Sequence, residues 1–250
     1  MAGSMQAHRK ALGVLGLAAT LLAGCASSGP PVEPAQIEFT PQPGVTYPVD
    51  VSDPIEGFNR AVYKFNARFD QFVFLPVVRG YEFITPVFVQ NRVSDFFLNL
   101  GEITTFTNSL LQLKGDRAGR AALRFVINTA FGFAGLYDLA SARDIERQPE
   151  DFGQTLGHWG VGNGPYLVLP ILGPSNLRDT GGLITDSVTF SLFVPESIEE
   201  ELAYKIAMYG LRPIDARHRV AFRYHETGSP FEYDLVRFLY TKKRQLDIRR

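Results

Sequence analysis

The residues of this chain with chemistry to offer are a few histidines, one aspartate tripeptide and a row of arginines. Beyond residue 24 the histidines are His158, His218 and His225, and none has the spacing of a metal site such as H-E-x-x-H. Asp179-Thr180-Gly181 matches the tripeptide that positions one carboxylate of a proton-sharing pair. It follows Pro-Ser-Asn-Leu-Arg rather than an apolar strand, which argues against that use. Gly160, Gly162 and Gly164 alternate, but Pro165 stands where a phosphate-binding loop would open its helix. There is no nucleophile elbow and no Ser/His/Asp arrangement. These residues point away from an enzyme, from a metal and from a cofactor.

What remains is ionic. Arg117, Arg120, Arg124 and Asn128 fall within about 80° of arc at 100° per residue. Around them the segment is apolar, with Leu123, Phe125, Val126, Ile127, Phe131 and Phe133. A water-soluble surface helix has the opposite proportions. Two readings fit: a core helix whose arginines reach an edge, and a helix in a bilayer leaflet whose seam meets lipid phosphates or a polar channel.

The elements that must position this seam begin after a leader. Arg9 and Lys10 precede an apolar run, Ala11 to Leu22, of signal-peptide length. Leu22-Ala23-Gly24-Cys25 then resembles the bacterial lipobox, so residues 1–24 read as a signal peptide and Cys25 as the site of lipid attachment. Cys25 is the single cysteine, which excludes disulfides. The following residue, Ala26, favours the outer membrane by resemblance to enteric sorting rules. Residues 25–52 carry six prolines and no hydrophobic periodicity, an extended tether. The net charge of −1 provides no basic footprint for nucleic acid.

The domain, 53–250, reads as all-α. Asp53-Pro54-Ile55-Glu56 has the form of a capping box, and Phe58, Val62, Phe65, Phe69 and Phe72 follow on one helical face. Pro76 is expected to stop this helix. Thr85-Pro86 starts the next, a further helix runs to Lys114 with Gly115 as its cap, and Asp116 opens one reaching about Leu139. Pro195-Glu196 and Ser229-Pro230-Phe231-Glu232 open later helices. No hairpin signal is present. No apolar run of 18 residues follows Cys25, so membrane contact is expected to be partial. The segment Gly153–Leu177 is uncharged and broken by Pro165, Pro170 and Pro174.

Several of these stretches together resemble the MlaA (VacJ) lipoproteins. Asp53-Pro54-Ile55-Glu56-Gly57-Phe58-Asn59-Arg60 with Phe65-Asn66 is similar to that family's N-terminal signature. Arg124-Phe125 with Asn128-Thr129 and Gly132 resembles its central helix. The run from Phe152-Gly153 through Thr155-Leu156-Gly157-His158, Gly164-Pro165-Tyr166, Leu169-Pro170 and Gly173-Pro174-Ser175 to Arg178-Asp179 resembles its most distinctive segment. The resemblance covers residues 50–245.

It implies a multi-helix ring in one leaflet of the outer membrane, around an amphipathic central channel and beside a trimeric outer-membrane porin. Such a protein removes phospholipids that have strayed to the outer leaflet and passes them to a periplasmic phospholipid carrier. On that footing Arg117, Arg120, Arg124 and Asn128 are the headgroup or channel candidates. Phe58, Phe65, Phe69, Tyr166, Leu167 and Leu169 are candidates for the membrane or gate face. The broken segment would meet acyl chains, or would be a buried structural loop. The basic residues Arg237, Lys242, Lys243, Arg244, Arg249 and Arg250 are a solvated helix end or a docking patch. The alternative function is a lipid-anchored envelope scaffold that binds porins without lipid transfer.

Overall fold

The computed structural model describes residues 51–226 and 228–250, all within one unit, Phe39–Arg250. The expected signal peptide, Cys25 and the expected tether up to residue 50 lie outside the described residues. Helix dominates, as the sequence implies. The order is α1 (Glu56–Phe69), α2 (Leu75–Ile84), α3 (Val87–Leu111), α4 (Gly115–Ala130), α5 (Phe152–His158), β1 (Tyr166–Leu169), β2 (Gly173–Asn176), α6 (Leu177–Ser191), α7 (Glu196–Glu199), α8 (Leu202–Lys205), α9 (Arg212–His218) and α10 (Glu232–Arg249).

Pro76 does not stop the first helix. A π-helical turn, Asp70–Phe74, joins α1 to α2, and Pro76 lies in the first turn of α2. The widened turn displaces the carbonyl that the proline ring would otherwise strike. The break comes at Thr85, which is extended before Pro86. From there one helix of 25 residues, not two, runs to Leu111.

Gly115 is not a cap. Leu113 takes the left-handed position instead (φ 58°), with the Lys114 amide donating to the Ser109 carbonyl and the Leu113 amide to that of Leu110. Gly115 then begins α4, which ends at Ala130 rather than near Leu139. Phe133, Ala134 and Gly135 all have positive φ and reverse the chain. At Gly135 a Cβ would come within 2.5 Å of Asn99 Nδ2, so only glycine closes this turn against α3.

The proposed capping box at Asp53 is absent: α1 begins after Ile55 with no side-chain cap. Asp53 is instead a junction, accepting from Asn59 Nδ2 (2.7 Å), the Tyr233 hydroxyl (2.5 Å) and Arg237 (3.2 Å). Nor does Ser229 cap α10; its hydroxyl accepts from the Phe231 amide.

The broken segment contains an unexpected antiparallel hairpin, pairing Tyr166 with Asn176 and Leu169 with Gly173. It packs with α1 and α10 in a small core of Val62, Tyr63, Tyr166, Val168 and Tyr233. Beside it α5 and α6 cross closely, because a Cβ on Gly182 would lie 2.4 Å from the Gly153 nitrogen. No described helix is long and apolar enough to cross a membrane.

Candidate functional site

Helix α1, with the π turn Asp70–Phe74 that continues it, shows how this domain sorts its residues. Phe58, Phe65 and Phe72, spaced by seven, form one stripe, and they are 60%, 50% and 70% exposed. The adjacent face turns inward and carries Asn59, Tyr63, Asn66 and Asp70, all buried. A helix in water would bury the phenylalanines. The same inversion extends through the described residues. Eleven hydrophobic side chains are buried against twenty-four polar or charged ones, while thirty-nine large hydrophobic residues are exposed. Buried polar groups and broad apolar surface are the informative departures from ordinary globular packing.

The inward polar groups have definite partners. Asn59 donates to the Tyr166 carbonyl (3.0 Å) and accepts from the Val168 amide (2.9 Å). One heptad later, Asn66 donates to the Leu169 carbonyl (2.9 Å) and accepts from the Ile171 amide (2.7 Å). The Tyr166 amide donates to the Ser52 carbonyl. Two side-chain amides thus stand in for a third strand along the free edge of β1. They satisfy backbone that the prolines deny a helix.

The seam on α4 closes on itself in the same manner. Arg117 and Lys114 both bind the fully buried Glu150 carboxylate, which also takes a bond from Gln112. Arg124 bonds Glu102 (2.8 Å), Asp138 (2.9 Å), Ser141 and the Ile145 carbonyl. Asn128 donates to Asp138 and accepts from the Ala140 amide. Burial would raise the Asp138 carboxyl. Bonds from Ser141, Asn128 and Arg124 outweigh it and hold this group at about 2. Arg124 and Asn128 are therefore buried structural groups rather than an open lining. Arg120 is half-buried, and among the described residues no ion pair involves it.

Of the apolar candidates, Phe58 and Phe65 are exposed. Phe69 is half-buried, stacked on Phe65 at 6.0 Å between ring centroids. Leu167 and Leu169 are half-buried. Tyr166 is a correction: it is 1% exposed, in edge contact with Tyr233 and Tyr240, because its alternate position on β1 points to the core. The apolar surface of this hairpin is its tip, Ile171 and Leu172.

Two residues of the expected solvated or docking patch, Arg237 and Arg244, are corrections: both are buried, and Arg244 joins elements far apart in the chain. Its guanidinium takes both oxygens of Asp151 (2.7 and 2.7 Å) and both of Asp179 (2.8 and 3.1 Å). Asp151 caps α5 by accepting from the Gln154 amide. Asn176 caps α6, and Asp179 lies in that helix's first turn. Arg244 therefore ties two helix N-termini to α10. Burial alone would raise both carboxyls, but the bonds and charge of Arg244 more than cancel it and hold them below the usual range. The signal available in the sequence was the pair of capping patterns, Asp151-x-x-Gln154 and Asn176-x-x-Asp179. Asp179 is accordingly an ion-pair partner, not half of a catalytic dyad.

His158 is exposed, His218 meets Glu82 at 2.7 Å, and His225 lies 3.8 Å from Glu232. Among the described residues no cluster of His, Cys, Asp and Glu could hold a metal.

The family model of the MlaA lipoproteins matches residues 51–247. The intermembrane phospholipid transport system lipoproteins MlaA of Shigella flexneri and Escherichia coli are each 39% identical, over 71% and 70% of this chain and 66% and 65% of theirs. An uncharacterized protein of Rickettsia prowazekii is 44% identical over 56% of this chain, which spans only 54% of that relative's length. A solved structure described as the structural basis for maintenance of bacterial outer membrane lipid asymmetry superposes with a TM-score of 0.66. It is 30% identical and covers 79% of this chain and 99% of the solved one.

Proposed function

The chain belongs to the MlaA lipoprotein family, and from that premise we propose that it is an outer-membrane lipoprotein maintaining lipid asymmetry. It removes mislocalised phospholipids from the outer leaflet and passes them through an amphipathic channel to a periplasmic carrier. The mature chain is anchored through Cys25 and held beside a trimeric porin, on the periplasmic side of a Gram-negative envelope.

The observation that carries this reading is the inverted sorting of residues, with Phe58, Phe65 and Phe72 outward and Asn59, Asn66 and Asp70 inward. Hydrocarbon around the domain removes the penalty on the aromatic stripe, and inward polar groups paired within the protein are tolerated there. The irregular backbone from Pro165 to Leu172 is supported within protein by Asn59 and Asn66, the condition for non-helical chain at membrane depth. A carrier of this kind is needed because two acyl tails of about 16 carbons, at ~0.8 kcal/mol per CH2, cost roughly 25 kcal/mol to expose to water. Driving the headgroup through hydrocarbon is also unfavourable.

Within the seam we assign the phosphate contact to Arg120. Arg117 and Arg124 are held by buried carboxylates and position the helix; Arg120 stands at the border between the buried face of α4 and exposed Leu123. The test is reconstituted transfer of labelled phospholipid from vesicles to a soluble acceptor. Transfer that weakens in Arg120→Gln supports the assignment. A protein that binds porin yet moves no lipid is the envelope scaffold instead.

A further inference from the structure

Helix α10 is fastened from within and presents an unusual face outward. Arg237 and Arg244, both buried, bond Asp53, Asp151 and Asp179 on other elements, so the helix cannot roll without breaking several ion pairs. The opposite side exposes Leu235, Leu239 and Leu246 at 43%, 54% and 58%. Lys242, Lys243, Arg249 and Arg250, also exposed, fall with these leucines inside about 120° of arc at 100° per residue. From Leu235 onward no carboxylate shares that arc. Asp247 stands beside it, 17% exposed and paired with Lys243 at 2.7 Å.

We propose that this outward face of α10 docks on the headgroup layer of an anionic phospholipid bilayer. The proposal rests on the membrane-seated reading above and adds where the domain meets the headgroups and which lipid charge it prefers. A face mixing leucines with lysines and arginines matches a helix lying at the bilayer interface. There the apolar groups enter the acyl boundary and the cations meet phosphates. Complementarity of charge selects an anionic surface over a zwitterionic one. A second feature lies at the same end of the domain. Ile248 packs on Gly157 of α5, and just past α5 the indole of Trp159 is 61% exposed, with its Nε1 donating to the Leu111 carbonyl (3.1 Å). Ile248 lies on the inward side of α10, so Trp159 marks an exposed aromatic near that helix and not a part of its cationic face; exposed indoles are favoured at the headgroup region.

Trp159 is the single tryptophan of the chain, so its emission reports whether the end of α5 reaches the membrane surface, and co-sedimentation with vesicles reports binding itself. The full chain carrying Cys25→Ser, which removes the acyl anchor, is titrated with vesicles of phosphatidylcholine alone and with added phosphatidylglycerol. The expected result is tighter binding and a larger blue shift on the anionic vesicles. Lys242→Glu/Lys243→Glu weakens that binding roughly tenfold or more, while Lys242→Arg/Lys243→Arg retains it. Arg249→Glu/Arg250→Glu, at the very end of the helix, gives the same direction with no inward contact at stake. Equal binding to both compositions, unchanged by charge reversal, overturns the role of α10 and leaves the membrane-seated reading intact. Failure to bind either composition overturns both.

Discussion

Helices α1 and α10 both turn polar side chains inward and apolar ones outward, yet their inward groups differ in kind. On α1 they are neutral amides, Asn59 and Asn66, and what they hold is the peptide backbone of β1. On α10 they are guanidinium groups, Arg237 and Arg244, and what they hold are carboxylates near three helix N-termini. The partner explains the choice. A strand edge offers one donor and one acceptor per site, which a carboxamide matches without adding charge. Two aspartates, Asp179 buried and Asp151 partly exposed, are matched by a delocalised cation with a fork of donors. Outside, α1 shows phenylalanines and α10 shows leucines among cations, and on the function proposed above the first would face acyl chains and the second headgroups.

The largest test of this contrast is Arg244→Met. It leaves Asp151 without its cation and Asp179 with Arg178 alone, and should lower unfolding stability by about 3 kcal/mol in a denaturant titration in detergent. If the loss is under about 1 kcal/mol, the clamp is ornamental. Asn66→Leu comes next, with an expected loss of about 3 kcal/mol, since the Leu169 carbonyl and Ile171 amide both lose their partner. Proteolysis at the hairpin tip should accelerate in this variant and not in Arg244→Met.

A smaller effect is pH-dependent. The Asp151 and Asp179 carboxyls are held below their unfolded range in the folded state. Their contribution is therefore complete above roughly pH 4 and is lost as pH falls through the depressed values. Acid titration of stability should be flatter in Arg244→Gln than in the parent chain; parallel curves would assign the acid sensitivity elsewhere. The smallest stability effect belongs to the exterior. Phe72→Ser should change folding stability by less than about 0.5 kcal/mol, because Phe72 is 70% exposed, while reducing retention on vesicles. Spin labels at Phe58 and Phe65 should report hydrocarbon rather than water. Aqueous accessibility there would remove the difference between the two exteriors.

The elements were legible because they depend on local chemistry. The outward pair Phe58 and Phe65, the extended Thr85 before Pro86 and the helix opening at Glu196 survive in the fold, whereas Val62, expected on the same face, is buried and Phe72 falls in the π turn. The boundaries that failed did so through local alternatives of similar energy. A π turn accommodated Pro76, Leu113 accepted a left-handed cap, and Asp53 found better partners than the amides of α1. The hairpin was hidden because its strands are only four residues long, β1 apolar on both faces and β2 the turn-like Gly173-Pro174-Ser175-Asn176, which leaves no polar alternation to read.

The sequence by itself determined that the domain is helical, that its apolar residues form stripes and that arginines recur along α4 and α10. Periodicity states that a stripe exists and is silent about the medium it faces. Only the tertiary structure decided that the phenylalanine side of α1 is the outside. Pairing was likewise decided at long range: Arg124 with Glu102, 22 residues away, and Arg244 with Asp151, 93 residues away. A charge in a chain advertises only its sign. Which opposite charge shares its low-dielectric site depends on which helices come to lie side by side.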